Sequence, residues 1–478
     1  MSTVDLVVIG AGPAGANAAL SAAGQGLSVV LLDEAPAVGG QIYRAPAGGI
    51  SSPDAKIDRD RRAGEELRAA MARSSVDFRL GRRVWSVTEG FRVDALSPAG
   101  PEMITAPRLV AATGAHERVV PFEGWTLPGV MGLAAATILL KAEAMIPGRR
   151  IVVAGCGPLL VAVAAKVMRA GGEIAALVDL ASPGEWLRAL PQLASRPGLL
   201  AEGMAWAESI ARRRVPVFFR HAVLRAEAGP DGDSVGRVVI APVDALGRRR
   251  PGGERSFDVD CLLVGHGLVP GSDVPRLLRA EHRYDRSRGG WVPTLDQAGR
   301  TSIAGLYAVG DGAGVCGAHV AALAGEMAGL AAAQDAGRIA DNPAQARLQA
   351  LALERTRAMR FANGIARLMA PRSGLLATIE RDVVVCRCEE VTRGQIEDAL
   401  DAGAREVNQL KHFTRCGMGP CQGRMCGEAA AELVALRVGS REAAGRWTMR
   451  TPLRPIGLDS LLGDFSYDDI PVPEPAPL

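Results

Sequence analysis

The sequence predicts an α/β fold: two three-layer units of the dinucleotide-fold type, followed by a small, largely helical C-terminal domain. Three observations predict it. A strand, a glycine-rich turn, a helix and a second strand ending in an acid succeed one another over residues 5–34, and the same succession recurs over 150–179. Short apolar strands ending in glycine turns stand on either side of the second copy, at 109–114 and 261–267, so it reads as an insert in the first. Five of the eight cysteines fall between positions 386 and 426, which sets a third region apart.

Composition bounds the rest. A chain of 478 residues has room for about three domains. With 48% hydrophobic and 22% charged residues it can bury a core, which excludes wholesale disorder. Fifty-seven glycines beside 4% aromatics suit tight turns and close helix–strand contacts. A net charge of +3 is too small to make nucleic acid the main partner. Residues 1–5 lead into the apolar run 6–9 without a basic segment, so no secretory signal is expected. The longest apolar stretch, 129–146, contains Lys141 and Glu143, so no transmembrane segment is expected and peripheral membrane association stays open. A cytoplasmic protein is the expectation, and its cysteines should then not form a disulfide framework.

In the first unit, residues 5–9 read as a buried parallel strand and Gly10-Ala11-Gly12-Pro13-Ala14-Gly15 as the turn into a helix over 16–24. Gly10 permits the tight turn, Gly12 lets backbone approach a pyrophosphate, and Gly15 lets helix and strand pack closely. The helix N-terminus then presents free N–H groups to the phosphates. Asp33, with Glu34 beside it, stands where a ribose-hydroxyl acceptor belongs. A third strand, 306–311, ends in Gly310-Asp311 and leads to a small-residue helix through Ala333.

The second unit keeps Gly155 and Gly157, but Leu160 replaces the third glycine. Asp179 ends its second strand with no arginine pair nearby, so a 2′-phosphate would be repelled and a nicotinamide cofactor here would be NAD(H). Three readings stay open: a second dinucleotide, another adenine nucleotide, or a retained scaffold without ligand. Cys156, Cys261 and Cys316 are isolated and read as small buried residues, which disfavours disulfide exchange.

The clustered cysteines read Cys386-Arg387-Cys388, then 27 residues, then Cys416-Gly417-Met418-Gly419-Pro420-Cys421. Two close thiolate pairs suit a [2Fe-2S] rhomb, whose two irons each take two thiolates. Gly417 and Gly419 free backbone amides to approach the sulfides, and the helical spacing of 392–410 would bring the halves together. Zinc competes, although a one-residue gap is unlike the usual zinc spacing; inert thiols are the third reading. Cys426 reads as a bystander on the following helix or as a substitute ligand. His116-Glu117-Arg118 reads as lying near a cofactor or partner, or as a solvated loop; His319 and Glu326 sit on the small-residue helix, where His319 reads as near a cofactor or as part of a packed helix face; Arg212–Arg214 and Arg248–Arg250 read as solvated faces.

Gly10–Gly15, Asp33-Glu34, Gly39-Gly40-Gln41, Ala112-Thr113-Gly114 and Tyr307-Ala308-Val309-Gly310-Asp311 occur in the order of glutathione-reductase-type flavoproteins, which residues 1–335 resemble. The resemblance implies FAD in the first unit, with Gly39-Gly40 near the diphosphate, Asp311 on the ribitol chain, and the helix beginning near Gly314 aimed at the flavin pyrimidine. A plain helix N-cap is the competing reading of Asp311. Cys386–Thr392 and Thr414–Arg424 resemble the bacterioferritin-associated-ferredoxin-like [2Fe-2S] domain. Together with Gln41-Ile42-Tyr43-Arg44 and the stretch 121–130, about residues 1–460 resemble one subfamily: the α (A) subunits of opine oxidases, D-hydroxyproline dehydrogenase and the B subunit of hydrogen cyanide synthase.

That resemblance implies a dye- or quinone-linked hetero-oligomeric dehydrogenase of amino acids or secondary amines. A D-amino-acid-oxidase-like β subunit takes the hydride, a small ferredoxin-like γ subunit is a further partner, and the pattern leaves room for FMN at the subunit junction. This chain would relay electrons, its FAD taking two and its cluster one at a time. The expected division is an FAD domain at 1–118 and 269–340, a second dinucleotide-fold domain at 119–268, a helical connector at 341–380 whose residues 341–371 read as a polar helix pair, the [2Fe-2S] domain at 381–440, and an extension with a proline-rich tail at 441–478. The other function classes are a stand-alone NADH-dependent FAD/[2Fe-2S] reductase and a non-catalytic iron–sulfur scaffold.

Overall fold

Leu6–Ile9, almost wholly buried, is the middle strand of a five-stranded parallel sheet ordered Leu306–Ala308, Leu109–Ala111, Leu6–Ile9, Val29–Asp33, Asp77–Leu80. Continuous Val/Ile/Leu runs are what a sheet covered on both faces requires. The outer strand Leu306–Ala308 arrives only after the whole second unit. The computed structural model describes residues 2–46 and 59–461; the proline-rich tail expected at 471–478 lies outside the described residues.

One face of this sheet is covered by two helices, Pro13–Ala23 and Ala318–Asp335, that pack almost backbone to backbone. A Cβ at Gly325 would stand 2.0 Å from the Ala14 carbonyl oxygen, and one at Gly329 2.4 Å from that of Ala18. The alanines and glycines of both helices are therefore a packing requirement rather than weak composition. The second helix starts at Ala318, one turn later than expected, because Asp311 holds the preceding loop through Cys316 and Gly317 N–H (2.9 and 3.0 Å).

The second unit repeats the plan in a parallel sheet ordered Val130–Gly132, Cys261–Gly265, Arg150–Gly155, Glu173–Asp179, Val217–Phe219. The antiparallel pair Ala115–Glu117 with Leu268–Pro270 carries the chain out to this unit and back. The expected connecting helix pair is instead one 28-residue helix, Asp341–Leu368, followed by the short Gly374–Ala377. Past Pro343, in the first turn, nothing breaks it, and Gly364 serves contact: its Cβ would lie 2.9 Å from Gln192 Cβ.

The cysteine region is a hairpin, Val384–Cys386 with Val391–Thr392, and three helices, Arg393–Asp401, Val407–Thr414 and Gly427–Val438. The helical run expected over 392–410 is broken at Gly403, whose φ of 114° no helix contains. Trp125 of the second unit donates its indole N–H to the Val384 carbonyl (2.7 Å). A buried ion triad ties the first unit to this region. Glu428 accepts from Arg118 (2.8 Å) and Arg441 (3.0 Å), Arg118 also donates to the Gly289 carbonyl (2.7 Å), and Arg441 lies over the Tyr284 ring. Burial alone would raise the Glu428 carboxyl, but the Arg441 and Arg118 guanidiniums hold it down to about 2.

Gly325→Ala should lower stability by about 1–3 kcal/mol in chemical denaturation, the usual range for overpacking. Gly203→Ala, in the helix Pro197–Arg212 with no atom within 4 Å of the added methyl, should be neutral or stabilising by up to ~1 kcal/mol.

Candidate functional site

The first glycine turn is assembled from positions that admit no side chain. A Cβ on Gly10 would lie 2.3 Å from the Ala112 carbonyl oxygen, on Gly15 1.8 Å from that of Gly10, and on Gly40 2.8 Å from Gly12 Cα. Bare backbone and the N-terminus of Pro13–Ala23, with Gly12 as its N-cap, therefore face the space in front. Asp33 braces the turn: one carboxylate oxygen accepts from Ala11 N–H (2.6 Å), the other from Ala35 N–H (2.7 Å). Burial raises its carboxyl above the ordinary value against these two bonds.

That space is a cavity of about 2070 Å³, roughly twice the ~300–1,000 Å³ usual for a small-molecule site. Gly10, Gly12, Pro13, Ala14, Asp33, Glu34, Gly40, Gln41, Thr113, Gly114, Gly310 and Asp311 all line it. Gly15 and Gly39 stand behind the wall, where they set the packing. Gly310 has a φ of 68° and its Cβ would lie 2.8 Å from Ala14 Cβ, so this turn closes onto the first helix. The Thr113 hydroxyl donates to the Gly271 carbonyl. His116, Glu117 and His319 reach the cavity too. Glu117 caps the helix Leu133–Ala142 through Ala134 N–H (2.7 Å), and Glu326 pairs with Arg347 (2.6 Å). Arg212–Arg214 and Arg248–Arg250 are exposed.

At the second glycine turn Met369 stands against Gly157, while Pro158, Asp179, Trp186 and Met369 line the same large cavity. The place a Cβ would take on Gly157 is already occupied by Met369 Cγ, 2.5 Å away, and a Cβ on Gly155 would strike the Gly265 carbonyl at 1.9 Å. Neither glycine reaches the cavity. Asp179, 2% exposed, gives one oxygen to Ala181 N–H (2.9 Å) and the other to the Trp186 indole (2.8 Å). Burial pushes its carboxyl up to about 6. The connector's Phe361, Ile365 and Leu368 pack beside Trp186. Where the first turn offers backbone to a diphosphate, the second offers a methionine.

All five clustered cysteines converge, as free thiols. The sulfurs of Cys386, Cys416 and Cys426 lie within 4.8 Å of one another, the Cys421 thiol neighbours those of Cys426 and Cys388, and Cys388 alone is exposed. Backbone N–H groups of Gly417 and Glu389 point at Cys386, and those of Met425 and Gly423 at Cys421. A Cβ on Gly419 would lie 2.3 Å from Cys388 Cβ. Converging soft thiols ringed by amide donors fit an iron–sulfur group. The other three behave as packing residues: Cys156 and Cys261 are buried, which pushes both thiols up to about 12, and Cys316 alone of the eight lines the cavity.

The model of the pyridine nucleotide-disulphide oxidoreductases matches residues 4–340. The chain belongs to that family. A BFD-like [2Fe-2S] binding domain matches 384–435. These matches assign FAD to the first region and a [2Fe-2S] cluster to the second, and the bare glycine turn and the thiol group are fitted to hold them. The chain is 34% identical to the A subunit of opine oxidase from Agrobacterium tumefaciens (strain Ach5), over 96% of this chain and 91% of that protein. It is 32% identical to hydrogen cyanide synthase subunit HcnB of Pseudomonas aeruginosa, over 94% and 96%. L-proline dehydrogenase from P. horikoshii shares the fold with a TM-score of 0.67 at 21% identity, covering 96% of this chain and 79% of that one.

Several residues at this family member's site carry no sequence signal. Asp273, Arg424 and Arg454 line the cavity, and Glu428 pairs with Arg118, from segments with no motif of their own except that Arg424 sits between Cys421 and Cys426. Met369 is a single methionine after a polar helix. Asp179 supplies a pH test. Its carboxyl binds a proton more tightly folded, near 6, than at its ordinary 3.8. The stability it contributes is therefore full below about pH 4 and lost as pH rises through about 6, by up to roughly 3 kcal/mol. Relative to the parent, Asp179→Asn should gain stability across that window in denaturant titrations; a constant difference would contradict the raised value.

Proposed function

We propose that this chain is the electron-relaying FAD/[2Fe-2S] subunit of a multi-subunit, dye- or quinone-linked dehydrogenase oxidising an amino acid or secondary amine of the opine or D-hydroxyproline type, with oxidation of the substrate on a partner. The observation that carries the reading is the pairing of a flavin-type cavity with a thiol cluster in a chain that the opine oxidase relative matches nearly end to end. Bound FAD would accept electrons in pairs and the cluster singly. The chain's residues hold and orient: Gly10, Gly12, Pro13, Ala14 and Gly40 present backbone to the diphosphate, Asp33 with Glu34 takes the ribose, and Gly310-Asp311 with Thr113-Gly114 frames the flavin end. Asp33, Glu117 and Asp311 are each bound to backbone N–H groups, which gives each a structural role, and hydride removal is assigned to the partner. An FMN at the junction, a β subunit of the D-amino-acid-oxidase type and a small ferredoxin-like γ subunit belong to the proposal. So does a cytoplasmic location, which suits eight free thiols. The expected domain division also stands as part of it, supported by the pairing of Leu306–Ala308 with Leu109–Ala111.

For the cluster, the contacts support Cys386, Cys388 and Cys421 and set Cys426 against the Cys416 expected from spacing. Cys426 neighbours Cys386, Cys416 and Cys421, and Cys416 neighbours Cys386 and Cys426 and also senses the Cys421 charge, so the thiol group includes both. Cys416, brought beside Cys386 as the spacing expects, is the proposed fourth ligand, and Cys426 is the substitute that a ligand swap would bring in. Cys388→Ser and Cys416→Ser should bleach the visible cluster absorption while FAD stays bound, and Cys426→Ser should keep it; the reverse pattern for Cys416 and Cys426 would make Cys426 the ligand.

The stand-alone NADH reductase would need the turn that Met369 fills. In stopped flow, NADH should leave the flavin of the isolated chain oxidised, and an amine substrate should bleach it only with the partner present. Rapid bleaching by NADH alone would sink the proposal. Co-purification with flavin extraction and iron analysis checks the composition, and a chain without flavin would favour the scaffold.

A further inference from the structure

Arg424 stands between the two thiols of the Cys421–Cys426 turn, yet its side chain leaves the cysteine group and enters the wall of the cavity. One guanidinium nitrogen donates to Asp273 Oδ2 (2.6 Å) and to the Leu453 carbonyl (2.8 Å). The other donates to the Cys421 carbonyl (3.3 Å) and to Gln422 Oε1 (3.1 Å). Asp273 opens the short helix Asp273–Leu277, two residues after Gly271, whose carbonyl accepts from the Thr113 hydroxyl. Cys421, Arg424, Asp273, Gly271 and Thr113 thus make one contiguous chain from the cysteine turn to the flavin end of the cavity. Burial would raise the Asp273 carboxyl, but the Arg424 and Arg276 guanidiniums keep it below its ordinary range. Arg454 stands 3.9 Å from the same carboxylate.

We propose that Arg424, through its ion pair with Asp273, is the positioning residue that fixes the cysteine turn against the flavin end of the cavity and sets the reduction potential of the cluster. The inference rests on the FAD/[2Fe-2S] reading above. Reduction adds one electron, and one negative charge, to a group whose thiolates already carry several, without making or breaking a bond. A cation held a few residues from one of those thiolates stabilises the reduced form, since net charge and hydrogen bonds around the sulfurs govern such potentials. Asp273 partly cancels that cation, so the two residues act with opposite sign. Both side chains are about 20% exposed, where solvent screening is weaker than at an open surface. The planar fork engages Asp273 and Leu453 together, which a lysine ammonium on a flexible stem does not reproduce.

The test is a redox titration of the purified chain followed by the cluster's electron paramagnetic resonance signal. Arg424→Gln should shift the cluster's one-electron equilibrium at least tenfold toward the oxidised form, which is about 59 mV downward. Asp273→Asn should shift it upward, and Arg424→Lys should restore most of the potential while slowing flavin-to-cluster transfer after photoreduction. A merely structural ion pair predicts no such opposition of sign. Potentials equal to the parent's in both Arg424→Gln and Asp273→Asn, with iron and FAD retained, would overturn the proposal. If Arg424→Gln does not retain iron, Asp273→Asn and Arg424→Lys decide it by the same readout. A parent chain lacking iron and labile sulfide would instead overturn the functional reading.

Discussion

Glu428 holds together two parts of the chain that sequence distance keeps far apart. Its carboxylate is buried between Arg118, which follows the Thr113-Gly114 turn, and Arg441, which follows the helix behind the cysteines. An ion group this deep is satisfied only when all three side chains are in place, because removing one partner leaves an uncompensated buried charge at about 3–5 kcal/mol. The two halves therefore dock in one arrangement. The cysteine turn and the cavity wall share this interface, on which the Arg424–Asp273 pair also lies.

The second unit keeps the architecture of the first while its glycine turn is packed differently. Its sheet, glycine turn and terminal acid follow the plan of the first. Yet Met369 stands on Gly157, and Trp186 takes the acid's second oxygen. The connector helix that delivers Met369 also lies along the helix Pro183–Leu193, with Gly364 removing the last obstacle to that approach. The rest of the chain thus packs against the turn, and Asp179, Trp186 and Met369 line the cavity from that side.

Much of the fold was legible because its signals are local. Asp33 closes a strand by its place in a periodic run, and Gly10, Gly12 and Gly15 are spaced by the geometry of a turn. What escaped is tertiary. Nothing in the composition of 341–368 distinguishes one long helix from two, since its continuity is decided by the grooves it meets. Cys426 looked incidental along the chain, because only the break at Gly403 and the turn after Cys421 swing it among the other thiols. The roles of Arg118, Asp273 and Glu428 depend on partners more than 150 residues away, a distance over which no motif is written.

The order of strands in the first sheet has a consequence for biosynthesis. The edge beside Leu109–Ala111 stays open until Leu306–Ala308 emerges, by which time the whole inserted sheet has already left the ribosome. At the usual ~5–20 residues per second that interval lasts roughly 10–40 s. During it a hydrophobic strand with unpaired backbone groups waits for its neighbour. The guest is thus complete before its host, whose sheet closes last.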